Sequence, residues 1–201
     1  MTRTIAIVDN DDAIRRSTAT LVESAGYRVE VFASGDAFLA AQPPQCPDCV
    51  VLDMHMPGVG DLDVLGALAT RDDPPVALVA SGLGDVSHAV KAMKLGAADF
   101  LERPYPPAAL LAAIDRACAL RDLMRRATEA KRQAAVRLEP LSKRQRQILG
   151  GVVRGRPNKI MAYELGLSVR TVEAYRAQML ERIGARSTAE AVQIGLAAGV
   201  L

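Results

Sequence analysis

Val50-Val51-Leu52-Asp53 sets a carboxylate at the end of a short apolar run dense in β-branched residues, and no other feature constrains the fold as tightly. Such a run reads as a strand buried on both faces, which implies a parallel sheet covered by helices. In open sheets of that kind, chemistry collects in the crevice at the carboxyl ends of the strands, so Asp53 is a candidate reactive group. The plainer reading is an aspartate that caps the following turn. The rest of the chain decides between them.

Thr4 to Val8, Arg28 to Phe32, Val76 to Ala80 and Asp99 to Leu101 are further predicted strands. Helical patterns alternate with them at about Ala13 to Ala25 before Gly26, from the cap Ser34 through Leu39, at Leu62 to Leu68, and at Val86 to Leu95 before Gly96. A loop at Pro43-Pro44 returns the chain to the Asp53 strand. Five alternations with short connections predict a doubly wound, flavodoxin-like α/β domain. Its carboxyl edge gathers Asp9, Asn10 and Asp11 from the first strand, Asp53 from the third, Ser81 from the fourth and Arg103 from the fifth. Clustered carboxylates and carbonyl oxygens suit a hard cation such as Mg²⁺, which keeps several waters. A hydroxyl and a cation facing a carboxylate suit a phosphoryl group carried on it.

At 201 residues two compact units are expected. The net charge of +2 conceals an asymmetry. Residues 1–120 carry 9 Lys+Arg against 16 Asp+Glu, a balance of −7, and residues 121–201 carry 16 against 7, a balance of +9. A basic module joined to an acidic one points to nucleic-acid binding in the second half. There is no Trp, and aromatics are scarce, which argues against stacking platforms for single strands or sugars. The sequence has no apolar run of membrane-spanning length and no secretory-signal pattern, so a soluble cytoplasmic protein is expected. Cys46 and Cys49 have redox spacing but lead into a strand instead of opening a helix, and Cys49 reads as a small buried apolar residue. His55 and His88 lack metal partners at helical spacing and read as surface loop histidines.

Residues 1 to about 120 resemble the receiver domain of two-component response regulators, through IAIVDND, VVLDMHMP, LVASG and DFLERP. The resemblance implies that Asp53 accepts a phosphoryl group, and that Asp9, its neighbour and the His55 carbonyl hold Mg²⁺. It also implies that Ser81 and Phe100 switch with phosphorylation and that the Arg103-Pro104 bond is cis. Two residues depart from the family. Asn10 stands where a second acid is usual, unless Asp11 compensates, and Arg103 stands where a lysine is usual. A planar fork on a longer stem is not equivalent to a compact ammonium. The expectation is weaker Mg²⁺ binding and slower or altered phosphorylation.

Ala108 to about Ala135 has no proline or glycine and predicts a long helix continuing into a solvated linker, residues 121–140. Residues 141–201 read as four helices. Ser142 with Gln145 and Ser187 with Glu190 are capping boxes, and Gly166-Leu167-Ser168 is the tight turn of a helix-turn-helix. On the third of these helices Val172, Met179 and Ile183 face the core, while Arg170, Glu173, Ala174 and Ala177 form a groove-facing row beside Thr171. Glu173 can accept from cytosine, and the two alanines can meet thymine methyls. Arg156, Lys159, Arg170 and Arg176 are candidate phosphate anchors. From LSKRQRQIL through ERIGARS the chain is similar to the LuxR-type DNA-binding domain, with Gln145 in place of a usual glutamate and Tyr175 in place of a common histidine. Joined to a receiver, this looks like the NarL/FixJ family of response regulators over nearly the whole chain.

The resemblance implies a transcription regulator, phosphorylated by a sensor histidine kinase, that binds double-stranded promoter DNA as a homodimer, with the Val90, Lys91 and Lys94 region as the dimer surface. The alternative is a DNA-binding regulator whose atypical receiver answers to partner contact or redox. The sequence has no phosphate loop, nucleotide fingerprint or nucleophile elbow, so no enzyme is expected.

Overall fold

Three central strands, β1 (Thr4–Val8), β3 (Cys49–Asp53) and β4 (Val76–Ser81), are buried along nearly their whole length because both faces of the sheet are covered. With β2 (Arg28–Phe32) and β5 (Asp99–Glu102) at the edges they form one parallel sheet of order β2-β1-β3-β4-β5. The computed structural model describes residues 2–41, 46–82 and 86–200, and the Pro43-Pro44 loop lies outside them.

Alternate residues of each strand serve opposite faces, as the two-residue period of a strand requires. Ile5, Ile7, Val51 and Leu78 pack with Val22 of α1 (Asp12–Ser24) and with Leu110, Ile114 and Ala117 of α5 (Pro107–Leu138). Ala6, Val8, Val50, Leu52 and Val79 pack with Phe38 of α2 (Gly35–Ala40), Val64 and Leu68 of α3 (Asp61–Ala69) and Ala92 of α4 (Val86–Lys94). Each of the buried Val, Leu and Ile side chains among these stabilises the fold by about 1.5–3 kcal/mol. The register Val51 with Leu78, and Asp53 with Ala80, brings the strand ends level, so the polar residues that follow them share one rim.

The predicted helices are found with end shifts of one to three residues. One shift has a chemical cause. Asp11 caps α1, its Oδ1 accepting from the amides of Ala13 (2.8 Å) and Ile14 (3.0 Å), so the helix starts at Asp12. His88, expected in a surface loop, sits within α4 and bonds through Nε2 to both oxygens of the buried Asp61, at 2.8 and 2.9 Å.

The chain divides into two units after Leu123, within α5. Arg121 is buried in the first unit, where it pairs with Asp73 and donates to its carbonyl at 3.1 Å. Ala134 and Leu138 belong to the core of the second unit. That core is completed by α6 (Lys143–Val153), α7 (Asn158–Leu165), α8 (Val169–Arg182) and α9 (Thr188–Ala197). Gly166 takes the left-handed conformation, φ 65°, that turns α7 into α8. Ser142 and Gln145 form the expected capping box. The Ser187 box closes only on one side: Ser187 Oγ accepts from the Glu190 amide at 3.1 Å, but the Glu190 carboxylate takes the Arg186 amide (2.9 Å) and Arg137 (3.0 Å) instead of the Ser187 amide. No helix among the described residues is long and apolar enough to cross a membrane.

Candidate functional site

The rim of the sheet brings Asp9, Asn10, Asp53, Ser81 and Arg103 together from β1, β3, β4 and β5. Asp9 and Asp53 are buried, at 2% and 6% exposure. Their charges are countered by one side chain. Arg103 donates through Nη1 to Asp53 Oδ1 and through Nη2 to Asp9 Oδ2, both at 2.6 Å, the short distances of charge-assisted bonds. The opposite oxygens are also engaged. Asp9 Oδ1 accepts from the Asp11 amide at 2.9 Å, and Asp53 Oδ2 from the His55 amide at 3.2 Å. The Asn10 amide faces two acceptors, so its orientation is assigned with the nitrogen donating, at 3.2 Å, to the His55 carbonyl and to Asp53 Oδ2.

Burial pushes the Asp9 carboxyl above its usual range, although the Asp11 amide and Arg103 pull the other way. Burial likewise works against the charge on Arg103, but its hydrogen bond to the Tyr105 oxygen and the fields of Asp9 and Asp53 more than offset it and leave its pKa raised. Tyr105 was not singled out from the sequence, nor was Arg15, whose Nη1 donates to the Asp9 carbonyl at 2.8 Å. Neither position carries a motif; only the fold brings them to the rim.

Ser81 is fully buried, and its hydroxyl donates to the Gly82 carbonyl at 2.9 Å. Phe100 is half-buried against the α3 and α4 face of the sheet. The Arg103-Pro104 peptide is cis. Asp11, the possible replacement for the acid missing at Asn10, gives one oxygen of its carboxylate, Oδ1, to the α1 cap.

In this arrangement the donor set does not fit a divalent ion. Mg²⁺ requires oxygens with open lone pairs at close, near-octahedral distances. Here one neighbour is a neutral amide, and a guanidinium lies between the two carboxylates with a nitrogen on each, in the place the ion would take. Among the described residues no group of three or more His, Cys, Asp or Glu is placed to hold a metal. His55 is exposed. Cys49 is fully buried, and burial pushes its thiol well above the usual value, away from a reactive thiolate.

In the second unit α8 buries Val172, Met179 and Ile183 with its cap and leaves Arg170, Glu173, Ala174 and Ala177 exposed on one face. Lys159 on α7 is exposed as well. Thr171 lies at the amino end of α8, where its amide donates to the Ser168 cap at 3.1 Å. Arg176 is half-buried and braces neighbouring helices, donating to Asn158 Oδ1 at 2.5 Å and to Thr188 Oγ1 at 3.1 Å. Arg156 is ion-paired with Glu164. Gln145 is 2% exposed, and its Oε1 also accepts from Arg182 at 3.2 Å. These braces join residues far apart in the chain, so helical spacing alone gave no signal for them.

Residues 5–115 match the response regulator receiver domain, and residues 139–194 match the luxR family of bacterial regulatory proteins. The chain is 43% identical to the transcriptional regulatory protein FixJ of Azorhizobium caulinodans over 196 residues, covering 98% of this chain and 93% of that protein. It is 36% identical to FixJ of Rhizobium meliloti, covering 98% and 96%. Among solved structures it is similar to full-length FixJ from B. japonicum (TM-score 0.61, 37% identity, all of both chains). It is also similar to the response regulator StyR (TM-score 0.74, 34% identity, 96% of this chain and 98% of that one).

Proposed function

Since the chain belongs to the NarL/FixJ family of response regulators, a receiver joined to a LuxR-type helix-turn-helix, we propose that Asp53 is the phosphoacceptor through which a sensor histidine kinase controls its binding to promoter DNA. The protein is a DNA-binding transcription regulator and not an enzyme. As a two-component regulator it has a histidine kinase and DNA for partners. We take residues 1–120 as the receiver, 121–140 as the helical linker and 141–201 as the DNA-binding domain.

One observation carries the reading. A buried carboxylate stands at the carboxyl end of β3 with a guanidinium 2.6 Å away and the Ser81 hydroxyl on the adjoining strand. In the transfer, an Asp53 oxygen attacks the phosphorus of a phosphohistidine on the kinase. A P–O bond forms, the P–N bond breaks, and its electron pair stays on the imidazole. The acyl phosphate adds oxygens that Arg103 can grip with its parallel donors, and Ser81 can turn its proton from the Gly82 carbonyl toward them. Phe100, on β5 two register positions before the residue paired with Ser81, follows the movement toward or away from the α4 side. Receiver domains typically use Mg²⁺; Asp9 and Asp53, which would hold it, are bridged in this structure by Arg103.

The output reading has its own support. Val86, Val90 and Met93 form an exposed apolar row on α4, beside Lys91 and Lys94, suited to a homodimer of the phosphorylated form. A dimer would present two α8 helices to two half-sites. Arg170, Thr171, Glu173, Ala174 and Ala177 then meet the major groove, with Lys159 and the spare donors of Arg176 on phosphates.

Gel-shift and sedimentation measurements on wild type and Asp53→Asn, each with and without a small phosphodonor, test the reading. Phosphodonor should raise DNA affinity and dimer content in wild type alone. Equal affinity and equal oligomeric state in all four samples would leave control by partner contact or redox.

A further inference from the structure

The two carboxylates that a divalent ion would bridge are already bridged by a cation, and that cation belongs to the chain. Arg103 spans Asp9 and Asp53 with one nitrogen on each, both at 2.6 Å, while its side chain is only 22% exposed. The remaining oxygens of the pair are occupied by the Asp11 and His55 amides and by Asn10. Arg15 adds a second guanidinium at the rim, bonded to the Asp9 carbonyl at 2.8 Å and paired with Asp12 at 2.6 Å. Asn10 contributes no negative charge, and the Asp11 carboxylate turns one oxygen, Oδ1, to the α1 amides. Two acids thus share one full positive charge between them, with Arg15 beside them already paired to Asp12.

We infer that Arg103 is the resident cation of this receiver: it ties Asp9 to Asp53 in the unphosphorylated protein and competes with Mg²⁺ for both, so a divalent ion binds only as the guanidinium leaves. This deepens the phosphoacceptor reading and rests on it. The chemistry favours arginine for the task. A guanidinium is planar, always charged and weakly hydrated, and presents two parallel donors at a spacing that two carboxylates can share. A lysine ammonium is a compact, strongly hydrated point charge that would leave a bridging ion more room. Departure of the guanidinium therefore costs its bonds to both carboxylates.

The test uses the full chain, stripped of metal and melted at increasing MgCl₂ with ionic strength held constant, as wild type and as Arg103→Met. A ligand that binds only the folded state raises the melting temperature by an amount that yields its dissociation constant. Mg²⁺ is expected to bind Arg103→Met at least roughly tenfold more tightly than wild type. A smaller ratio overturns the inference. If Arg103→Met does not fold, the wild-type protein alone decides. Its Arg103 guanidinium NMR resonances, assigned by their loss in Arg103→Lys, should shift in step with Mg²⁺ occupancy; saturation by Mg²⁺ with those resonances unmoved refutes competition. The same samples, given a small phosphodonor and weighed as intact protein beside Asp53→Asn, report on the phosphoacceptor separately. An Asp53-dependent phosphoryl mass gain upholds that reading whatever the cation ratio, and no gain at any Mg²⁺ level overturns it together with the inference built on it.

Discussion

Single side chains in this receiver do work that their neighbours in sequence do not announce. Tyr27 precedes β2 and gives its hydroxyl to Asp115 of α5, fastening the edge of the sheet to the helix that covers it. Burial first, and then the hydrogen bond to Asp115, push its pKa from 10.0 to about 12. A raised phenol pKa contributes stability that is whole below the unfolded value and is lost as pH climbs through the folded one. The wild-type advantage over Tyr27→Phe should therefore be present at pH 9 and vanish between pH 10 and about 12. Urea unfolding of both proteins across that range checks it, and an advantage independent of pH would contradict the assignment. The strand-end residues Asp9, Asp53, Ser81 and Arg103 were legible, because each follows an apolar run whose direction fixes where it ends. Their pairings were not. Sequence does not say that the Asp11 carboxylate turns back to α1, or that Asn10 donates to Asp53 instead of standing in for an acid.

Secondary elements were legible wherever a cap or an alternation marked them. Ser34, Ser142 and Ser168 each cap the helix that follows, with a side-chain oxygen accepting an amide, worth about 1 kcal/mol apiece. How closely the elements approach was not legible. At Gly35 a Cβ would lie 2.4 Å from the Val59 carbonyl oxygen and 2.8 Å from Val64 Cγ2, so the start of α2 can pass the loop before α3 only without a side chain. Backbone cannot yield as a flexible side chain can. Gly35→Ala should cost the receiver about 1–3 kcal/mol through overpacking, despite alanine's better helix propensity. A urea midpoint for the receiver transition equal to that of wild type would show that the loop gives way at no cost. The His88 and Asp61 pair makes the same point about distance in sequence. It links α4 to α3 across 27 positions, and nothing in either local pattern foretold it.

Across the whole chain, the division into an acidic and a basic half was readable from charge alone, and the family follows from motifs in both halves. The exposed middle of α5 was legible as a solvated helical linker, but the residues each unit buries from its two ends were not, because a helix without glycine or proline carries no local mark of its partners. Arg121 is buried in the first unit and Ala134 in the second, yet no residue from 124 to 133 is buried. Along that stretch Glu129 bonds with Arg132 (2.8 and 2.9 Å) and with Gln133 (2.7 Å), contacts made within the helix itself. A helix of that length with no buried face is marginal in water, and exposed ion pairs add only a few tenths of a kcal/mol. Arg125, Arg126, Lys131 and Arg132 lie in it as trypsin targets. Brief digestion should cut there first and release two folded halves, with intact mass reporting the sites; first cuts within either unit would contradict it. The segment that joins sensing to DNA binding is then the part with least to lose by melting, so local fraying can sever the two activities while both domains remain intact.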